Sequence, residues 1–329
     1  MTGWKTKLRQ FFGKSTLQEV IEEEDDALAD ALFQEPPPED KAIAAASPEA
    51  DVLAEGSLPE AGFPPISGAF SAAWITDTGR VRGHNEDALF VFTGDHHANN
   101  SVPAFGLFIL ADGMGGHQAG EVASSSAVRV CASHLISQIY LPMLSGTDRG
   151  ADQPSLSEIV REAILIANRR VTQELPGSGS TLTCGLVLGD RLFVGHVGDS
   201  RAYLLRENEA PLQLTNDHSL VNRLMEMGQL TAEEAAVHPQ RNVLYRAIGQ
   251  GGSLEVDVST FSLESRDRLL LCSDGLWGMV EEASLWQAIQ ETDTLRNACI
   301  DMVDAANAAG GNDNISIILA EIWHSNNLH

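Results

Sequence analysis

The stretch FGLFILADGMGG, residues 105–116, places an aspartate directly after a continuous apolar run. An apolar run of this length predicts a buried β-strand over residues 105–110. Asp112 then comes where the strand meets a glycine-rich turn, and a carboxylate there is costly unless a positive charge compensates it. The glycines allow the backbone to approach a ligand closely. The stretch alone suits either a hard-cation site that uses the Asp112 carboxylate or a tight turn capped by the aspartate.

Aspartates also lie next to the ends of other predicted strands. Asp274 follows the apolar run LLLCS and precedes a glycine, and Asp199 follows the strand LFVGHV. Asp313 lies in GGNDN, immediately before the strand ISIIL, and Asp87 lies in NED, immediately before ALFVF. One such aspartate would be a turn residue, but several at separate strand ends predict convergence on one oxygen-rich site. Such a site suits Mg²⁺ or Mn²⁺ rather than zinc.

The predicted strands form hairpins, and the predicted helices come in blocks. Strand patterns cover residues 70–76, 88–93, 105–110, 181–188, 191–197, 202–206, 268–273 and 315–321. Gly189 and Asp190 lie between two of these strands as a two-residue hairpin turn. Apolar spacing predicts helices over residues 121–140, 156–174, 281–290 and 294–309. This order favours an α+β fold with antiparallel sheets over an alternating parallel sheet.

Residues 212–250 are less regular than the rest of this folded region and predict a surface flap. A short helix is expected over residues 219–227. Thr231 and Glu234 have the spacing of a capping box at the start of a second helix. The folded domain that contains this flap is predicted to span residues 69–323.

The first 68 residues differ in composition, with 14 acidic and 5 basic side chains and the runs EEEDD and PPP. Such a segment cannot bury enough apolar surface to offset chain entropy, so residues 1–68 are predicted to be a disordered tail. The first 18 residues differ again, because apolar side chains share one helical face beside basic ones. That start would suit docking to a partner or an anionic membrane. The simpler interpretation is a frayed terminus with chance amphipathicity.

The net charge and the spacing of the cysteines exclude some classes of protein and indicate a cell compartment. The formal net charge is -25, and the basic residues are scattered along the sequence, which argues against nucleic-acid binding. No stretch is long and apolar enough to span a bilayer, and the N-terminus has no signal-peptide core. The 4 cysteines form no CxxC pair, which fits buried thiols in a reducing compartment. We therefore predict a cytoplasmic protein.

The order and spacing of the aspartate motifs resemble the metal-dependent Ser/Thr protein phosphatase family (PPM, type 2C) in its compact bacterial form. The matching stretches are TDTGRVRGHNED (76–87), ADGMGG (111–116), GDSRAY (198–203), SDGLWG (273–278) and GGNDNIS (310–316). The resemblance covers about residues 70–322. It implies a β-sandwich of two antiparallel sheets flanked by helices. It also implies hydrolysis of phosphoserine and phosphothreonine by in-line attack of a metal-bridging hydroxide, without a phosphoenzyme.

The resemblance assigns ligands for two Mn²⁺ or Mg²⁺ ions and a third, weaker position. Asp112 would bridge the two ions, and the Gly113 carbonyl would bind one of them. Asp274 and Asp313 would complete the other ion's ligands. Asp199, sharing Asp274, would form the third position. A structural turn is the alternative for Asp199.

The resemblance also assigns residues around the metal ligands. Asp87, with Glu86 beside it, would hold metal-bound waters, and Asn314 belongs to the same outer group. Arg82 would clamp the substrate phosphate, since its planar fork of donors matches phosphate. Met114 departs from family members that carry a histidine there as a candidate general acid. A thioether cannot donate a proton, so the proton must come from metal-bound water or another side chain.

The resemblance implies phosphorylated protein substrates and a cognate Ser/Thr kinase, and we expect a monomer. One alternative is a dedicated phosphatase of one regulatory protein, like the sporulation-type phosphatases of anti-anti-sigma factors. Another is an inactive scaffold, which a missing metal ligand would favour, but none is missing. The glycine-rich turn over residues 113–116 does not fit the nucleotide-binding motif GxGxxG, because the third glycine of that motif would fall at Gln118.

Overall fold

A computed structural model describes residues 69–95, 102–115, 118–146, 153–207, 209–251 and 253–323. The predictions for residues 1–68, including the tail and its basic start, fall outside these ranges. Within them, no helix has the length and apolarity needed to cross a membrane.

Two antiparallel sheets form the centre of the fold. The strands are β1 (Phe70–Asp77), β2 (Asp87–Gly94), β3 (Phe105–Met114), β4 (Gly179–Ser180), β5 (Leu182–Leu188), β6 (Arg191–Val197), β7 (Arg201–Leu205), β8 (Leu212–Gln213), β9 (Asp257–Ser262), β10 (Arg268–Cys272) and β11 (Ile315–Ile322). One sheet has the order β1-β11-β10-β7-β8, and the other has the order β2-β3-β5-β6-β9, with β4 paired to β3. The predicted hairpin at residues 189–190 joins β5 to β6. The α+β prediction is confirmed.

Helices cover the outer faces of both sheets. They are α1 (Gln118–Leu135), α2 (Leu141–Leu144), α3 (Leu156–Glu174), α4 (Leu220–Glu226), α5 (Ala232–Ala236), α6 (Asp274–Trp277), α7 (Glu282–Glu291) and α8 (Leu295–Ala308), with a π-helical turn over Ile136–Tyr140. The α3 helix matches its predicted range, and Ser155 and Glu158 form a capping box at its start. Its predicted apolar face, which includes Ile159, Ala163 and Ile164, is buried.

The apolar run of β3 serves two cores because successive side chains of a strand point to opposite faces. Phe105, Leu107 and Ile109 belong to the core under α1 and α3. Phe108 and Leu110 belong to the core between the two sheets. A third core joins β10 and β11 to α7 and α8. The layers therefore run helices, sheet, sheet, helices, and β3 is buried on both faces.

The structure corrects the predicted end of β3. The strand continues through Asp112 to Met114, because β4 pairs with the residues after the aspartate. Asp112 lies directly opposite Asp87 on β2. Asp112 therefore lies within a paired strand, whereas the sequence placed it at a turn.

Two other elements differ from their predictions. The sequence did not predict β9, because its polar residues, such as Ser259 and Thr260, are exposed at the edge of the sheet. The helix expected over residues 121–140 begins at Gln118, and regular α-helix ends at Leu135, where the π-helical turn follows.

Within residues 212–250 the chain forms β8 and the short helices α4 and α5. Ser219 accepts a hydrogen bond from the Asn222 amide at the start of α4. Thr231 and Glu234 form the predicted capping box of α5. Met227 and Val237 are exposed apolar side chains in this segment, and Val237 is 79% exposed.

Candidate active site

Five elements bring the predicted aspartates together at one end of the sandwich. Asp87 begins β2 and faces Asp112 across the β2–β3 ladder. Asp274 is the first residue of α6, directly after β10. Asp313 lies in the loop before β11, and Asp199 lies in the turn between β6 and β7. The charges of the other four carboxylates each raise the pKa of Asp112, as expected for acidic groups that lie near one another.

Hydrogen bonds from Ser180 and Thr181, which neighbour β3 in the same sheet, fix the backbone of Asp112. The Asp112 amide donates to Thr181 Oγ1 over 2.9 Å, and the Thr181 amide donates to the Asp112 carbonyl over 2.8 Å. Ser180 Oγ donates to the same carbonyl over 2.9 Å. Ser180 and Thr181 therefore hold in place the backbone that carries the Asp112 carboxylate.

Burial and mutual repulsion raise the pKa values of four carboxyl groups in the cluster, those of Asp87, Asp112, Asp199 and Asp274. Burial raises the pKa of Asp87 to about 7, and the charges of Asp274 and Asp313 act in the same direction. Burial, with the Asp313 charge, raises the pKa of Asp274 to about 6. The pKa values of Asp112 and Asp199 lie well above the usual range, for the same reasons. A cluster of buried acids at such a density requires positive charge to be ionised together.

The oxygen atoms of the cluster fit a hard divalent cation. Asp87 Oδ1 and Asp274 Oδ1 are buried and have no hydrogen-bond partner. A buried carboxylate oxygen left unpaired is costly, and a cation is the partner that suits it. Among the described residues, no group of three or more His, Cys, Asp or Glu side chains is arranged closely enough to hold a metal ion as it stands. The donor set nevertheless fits Mn²⁺ or Mg²⁺, with all oxygen ligands.

Gly113 allows the chain to pack closely beside the cluster. A Cβ atom on Gly113 would lie 2.3 Å from the Gly120 carbonyl oxygen and 2.6 Å from the Glu86 carbonyl oxygen. The Gly113 amide donates to the Glu86 carbonyl over 3.1 Å. Only glycine fits between the start of α1 and the residue before β2.

Arg82 lies at the rim of the site. Its Nη2 atom donates to Asp313 Oδ2 over 2.7 Å, and the Arg82 side chain is 52% exposed. The predicted phosphate clamp thus contacts a predicted metal ligand. An exposed pair of this kind contributes little to stability, so the guanidinium can exchange this carboxylate for a substrate oxyanion at small cost.

Asn314 connects the loops around the cluster. Its Oδ1 atom accepts the Glu86 amide over 2.8 Å. Its Nδ2 atom donates to the carbonyls of Thr78 and His84, each over 3.0 Å. Glu86 has its carboxylate 2.8 Å from His84 Nε2. Asn314 and Glu86 therefore position the 76–87 loop.

Sequence reasoning did not assign a role to Arg201 or Trp277, although both lie in quoted motifs. Arg201 forms a bidentate ion pair with Asp217, and its guanidinium lies 3.7 Å from the centre of the Trp277 ring. Trp277 Nε1 donates to the Asp199 carbonyl over 3.0 Å. The stacked pair thereby links the Asp199 turn to the helix that begins at Asp274.

His218 and Ser273 also support the site. The Gly198 amide donates to His218 Nδ1 over 3.0 Å, and His218 is buried. Ser273 Oγ donates to Asp87 Oδ2 over 3.0 Å. The sequence offered a signal only for Ser273, which directly precedes Asp274.

A family model described as protein phosphatase 2C matches residues 76–315. The chain belongs to the protein phosphatase 2C family. It is similar to the serine/threonine phosphatase stp of Listeria innocua, with 38% identity over 76% of this chain and 95% of that protein. It is similar in structure to the serine/threonine phosphatase PstP/Ppp of Mycobacterium tuberculosis, with a TM-score of 0.64 and 34% identity. The match covers 78% of this chain and 99% of that chain. It is also similar to the catalytic domain of PstP in complex with two manganese ions, with a TM-score of 0.61 and 33% identity. That match covers 77% of this chain and 98% of the PstP chain.

The 2C-family match covers every predicted site residue. Residues 76–315 include Arg82, all five aspartates and Asn314. The sandwich and the relatives agree with the resemblance drawn from the motifs.

Proposed function

We propose that this 2C-family chain is a metal-dependent protein phosphatase that hydrolyses phosphoserine and phosphothreonine. The observation that carries the proposal is the cluster of five aspartates, with unpaired buried oxygens on Asp87 and Asp274 and with Arg82 at its rim. The named Ser/Thr phosphatase relatives and the manganese complex of PstP support the same activity and two ions per site. A third, weaker ion at Asp199 is part of the proposal.

The side chains divide into cation ligands and a substrate clamp. Bound divalent cations would activate water and offset charge on the phosphoryl oxygens. We assign Asp112, Asp274 and Asp313, with the Gly113 carbonyl, to holding those cations. Asp87 would order their water ligands. Arg82 would orient the phosphate for in-line displacement, and no phosphoenzyme is expected.

The rival assignments have less support. An inactive scaffold would not need to maintain unpaired, buried carboxylate oxygens, because their burial is costly. A phosphatase dedicated to one anti-anti-sigma-type protein is less favoured because the named relatives are Ser/Thr phosphatases.

Hydrolysis of p-nitrophenyl phosphate tests the proposal. We expect turnover with Mn²⁺ and none after EDTA treatment at the same protein concentration. An inactive scaffold would release no nitrophenol in either condition.

Replacing Arg82 with alanine should weaken substrate binding. Losing one charge-assisted hydrogen bond costs about 1.5–3 kcal/mol, so kcat/KM for a phosphopeptide should fall by about tenfold to a hundredfold. Mn²⁺ affinity should not fall, since Arg82 and a cation compete for Asp313. Arg296→Ala, an exposed change on α8, is the matched control. Unchanged KM and kcat would remove Arg82 from the site.

Shortening the segment between Met227 and Ala236 should change substrate choice. The flap contains exposed apolar side chains suited to contacting protein substrates. We expect kcat/KM for a phosphoprotein to fall by about tenfold, equivalent to ~1.4 kcal/mol of contact energy. The kcat/KM for p-nitrophenyl phosphate should stay unchanged. Leu141→Ser in α2, another exposed apolar site, is the control. Equal losses on both substrates would indicate a structural role instead.

The tail is proposed to act as a flexible tether. A chain beginning at Ser67 should therefore hydrolyse p-nitrophenyl phosphate at the full-length rate, with changes only in localisation or in activity on a tethered partner. A several-fold, salt-sensitive activation on truncation would show that the acidic segment inhibits the site instead.

We further propose a cytoplasmic monomer that opposes a Ser/Thr kinase. All four cysteines are buried free thiols, as expected in a reducing compartment. Fractionation of cells and light scattering of the purified chain would test location and oligomeric state.

A further inference from the structure

A groove of ≈ 810 Å³ runs between α1 and α3. The α1 residues that line it lie between Ser126 and His134, with Ser137 in the following π-helical turn. The α3 residues lie between Ile166 and Glu174. None of the residues assigned above to catalysis, metal or substrate lines this groove. It is therefore a separate surface of the domain.

The groove concentrates positive charge on an acidic domain. Residues 69–329 hold 32 acidic and 16 basic side chains, and every basic one is an arginine. Arg129, Arg169 and Arg170 all line the groove. This cluster could not be predicted from the sequence, because about forty residues separate Arg129 from the other two arginines and only the packing of α1 against α3 brings them together.

Within the described part of the chain, two of these arginines have no carboxylate partner. Arg170 pairs with Glu174 on the same helix. Arg129 donates from Nε to the Ser125 carbonyl over 3.3 Å, and neither Arg129 nor Arg169 forms a salt bridge with the residues that the structure describes. Elsewhere on the domain arginines such as Arg201 are neutralised by carboxylates. The groove thus presents two planar donor forks to a ligand.

Hydroxyl groups and one imidazole ring line the groove beside the two guanidinium groups. Ser126, Ser133 and Ser137 line the groove. His134 Nε2 is buried without a hydrogen-bond partner, and it lies 3.9 Å from Glu162 Oε2. Hydroxyl and imidazole groups beside arginine forks match the several acceptor oxygens of a phosphoryl group.

We propose that the α1–α3 groove binds a phosphorylated segment of a partner protein without hydrolysing it. Arginine clusters are a general means of recognising phosphorylated segments. A phosphoprotein is repelled by most of this acidic domain, so its negative charges favour a groove in which two arginines lie close together without a carboxylate partner among the described residues. The groove has no clustered carboxylates to hold a cation, so the bound phosphoryl group would stay intact.

The position of α1 suggests what the groove contributes to the proposed function. Ser124, two residues before the first residue that lines the groove, donates from Oγ to the Glu86 carbonyl over 2.6 Å. Gly120, at the start of the same helix, packs against Gly113. A phosphoprotein held along α1 would raise the effective concentration of a second phosphorylated residue near the catalytic site. This consequence rests on the proposed function, whereas binding in the groove does not.

Fluorescence anisotropy of a labelled peptide with two phosphoserines, in EDTA, measures binding without hydrolysis. Arg129→Ala/Arg169→Ala should raise the Kd at least about tenfold, since two charge-assisted contacts are lost. Arg161→Ala/Arg296→Ala is the matched control, because it removes the same charge from exposed positions outside the groove. Its Kd should change by no more than about twofold. Neither variant should alter the melting temperature or p-nitrophenyl phosphate hydrolysis with Mn²⁺.

Three results would overturn the proposal. Equal weakening in both double variants would mean that the overall charge, not the groove, binds the peptide. Equally tight binding of the unphosphorylated peptide would exclude phosphoryl recognition. Tighter, arginine-dependent binding of an RNA oligonucleotide would identify a different partner. Because the assay is metal-free, a chain without phosphatase activity could still bind the peptide, so the two proposals fail separately.

Discussion

Asp112→Asn and Asp274→Asn should each lower kcat by at least about 10³-fold, because cation-based charge stabilisation supplies several kcal/mol. An amide has no negative charge to hold a cation and only one acceptor oxygen. The fold should remain, since each change removes one like charge from a repulsive, buried cluster. Phosphate release and melting temperature, measured across a Mn²⁺ titration, check both statements.

The melting temperature gives a readout that does not depend on turnover. Mn²⁺ should raise it in the unaltered chain, because a ligand that binds only the folded state stabilises that state. The increase should be absent or much smaller in either variant. Asp304→Asn, an exposed change on α8, is the control and should retain both activity and the shift. Near-normal turnover of either site variant at limiting Mn²⁺ would contradict the two-ion assignment.

Gly275→Ala should destabilise the fold and inactivate the site together. A Cβ atom at this position would lie 2.0 Å from the Asn314 carbonyl oxygen and 2.8 Å from its carbonyl carbon. Both are backbone atoms, so the clash must displace either the Asp274 helix or the loop that carries Asp313 and Asn314. We expect a loss of about 3 kcal/mol in the free energy of unfolding, at the upper end for overpacking.

Gly83→Ala separates this effect from a general intolerance of substitution near the site. Gly83 follows Arg82, and a Cβ atom there would have nothing within 4 Å. Urea unfolding of the two variants, with phosphate release at saturating Mn²⁺, compares them directly. We expect Gly83→Ala to behave like the unaltered chain. A stable, active Gly275→Ala chain would show that the packing between Asp274 and Asn314 is looser than the structure indicates.

Much of the fold could be predicted because long apolar runs decide burial. The apolar runs of β3, β5, β10 and β11 are buried almost throughout. The regular spacing of apolar residues along α3 identified that segment as a helix. The exposed edge strand β9 lacks an apolar pattern, so only its pairing with β6 defines it. The extension of β3 through Asp112 depends on β4, a two-residue partner that no local pattern reveals.

The aspartates of the candidate site were predictable for a chemical reason. Acidic residues beside glycine or asparagine at several strand ends are unusual unless they share a ligand. The supporting residues were not, because their roles depend on long-range contacts. Arg201 reaches Asp217 and Trp277 across three segments, and His218 reaches Gly198 from the flap region. The arginines of the α1–α3 groove meet only through helix packing.

The most direct test of the central claim is phosphate release from a phosphothreonine peptide by EDTA-treated protein as Mn²⁺ is added back. The carboxylate cluster predicts no release without metal and a saturable return of activity with Mn²⁺. The same titration on Asp274→Asn should give no release at any concentration that saturates the unaltered chain. Full activity in EDTA, or none at saturating Mn²⁺, would contradict a metal-dependent phosphatase.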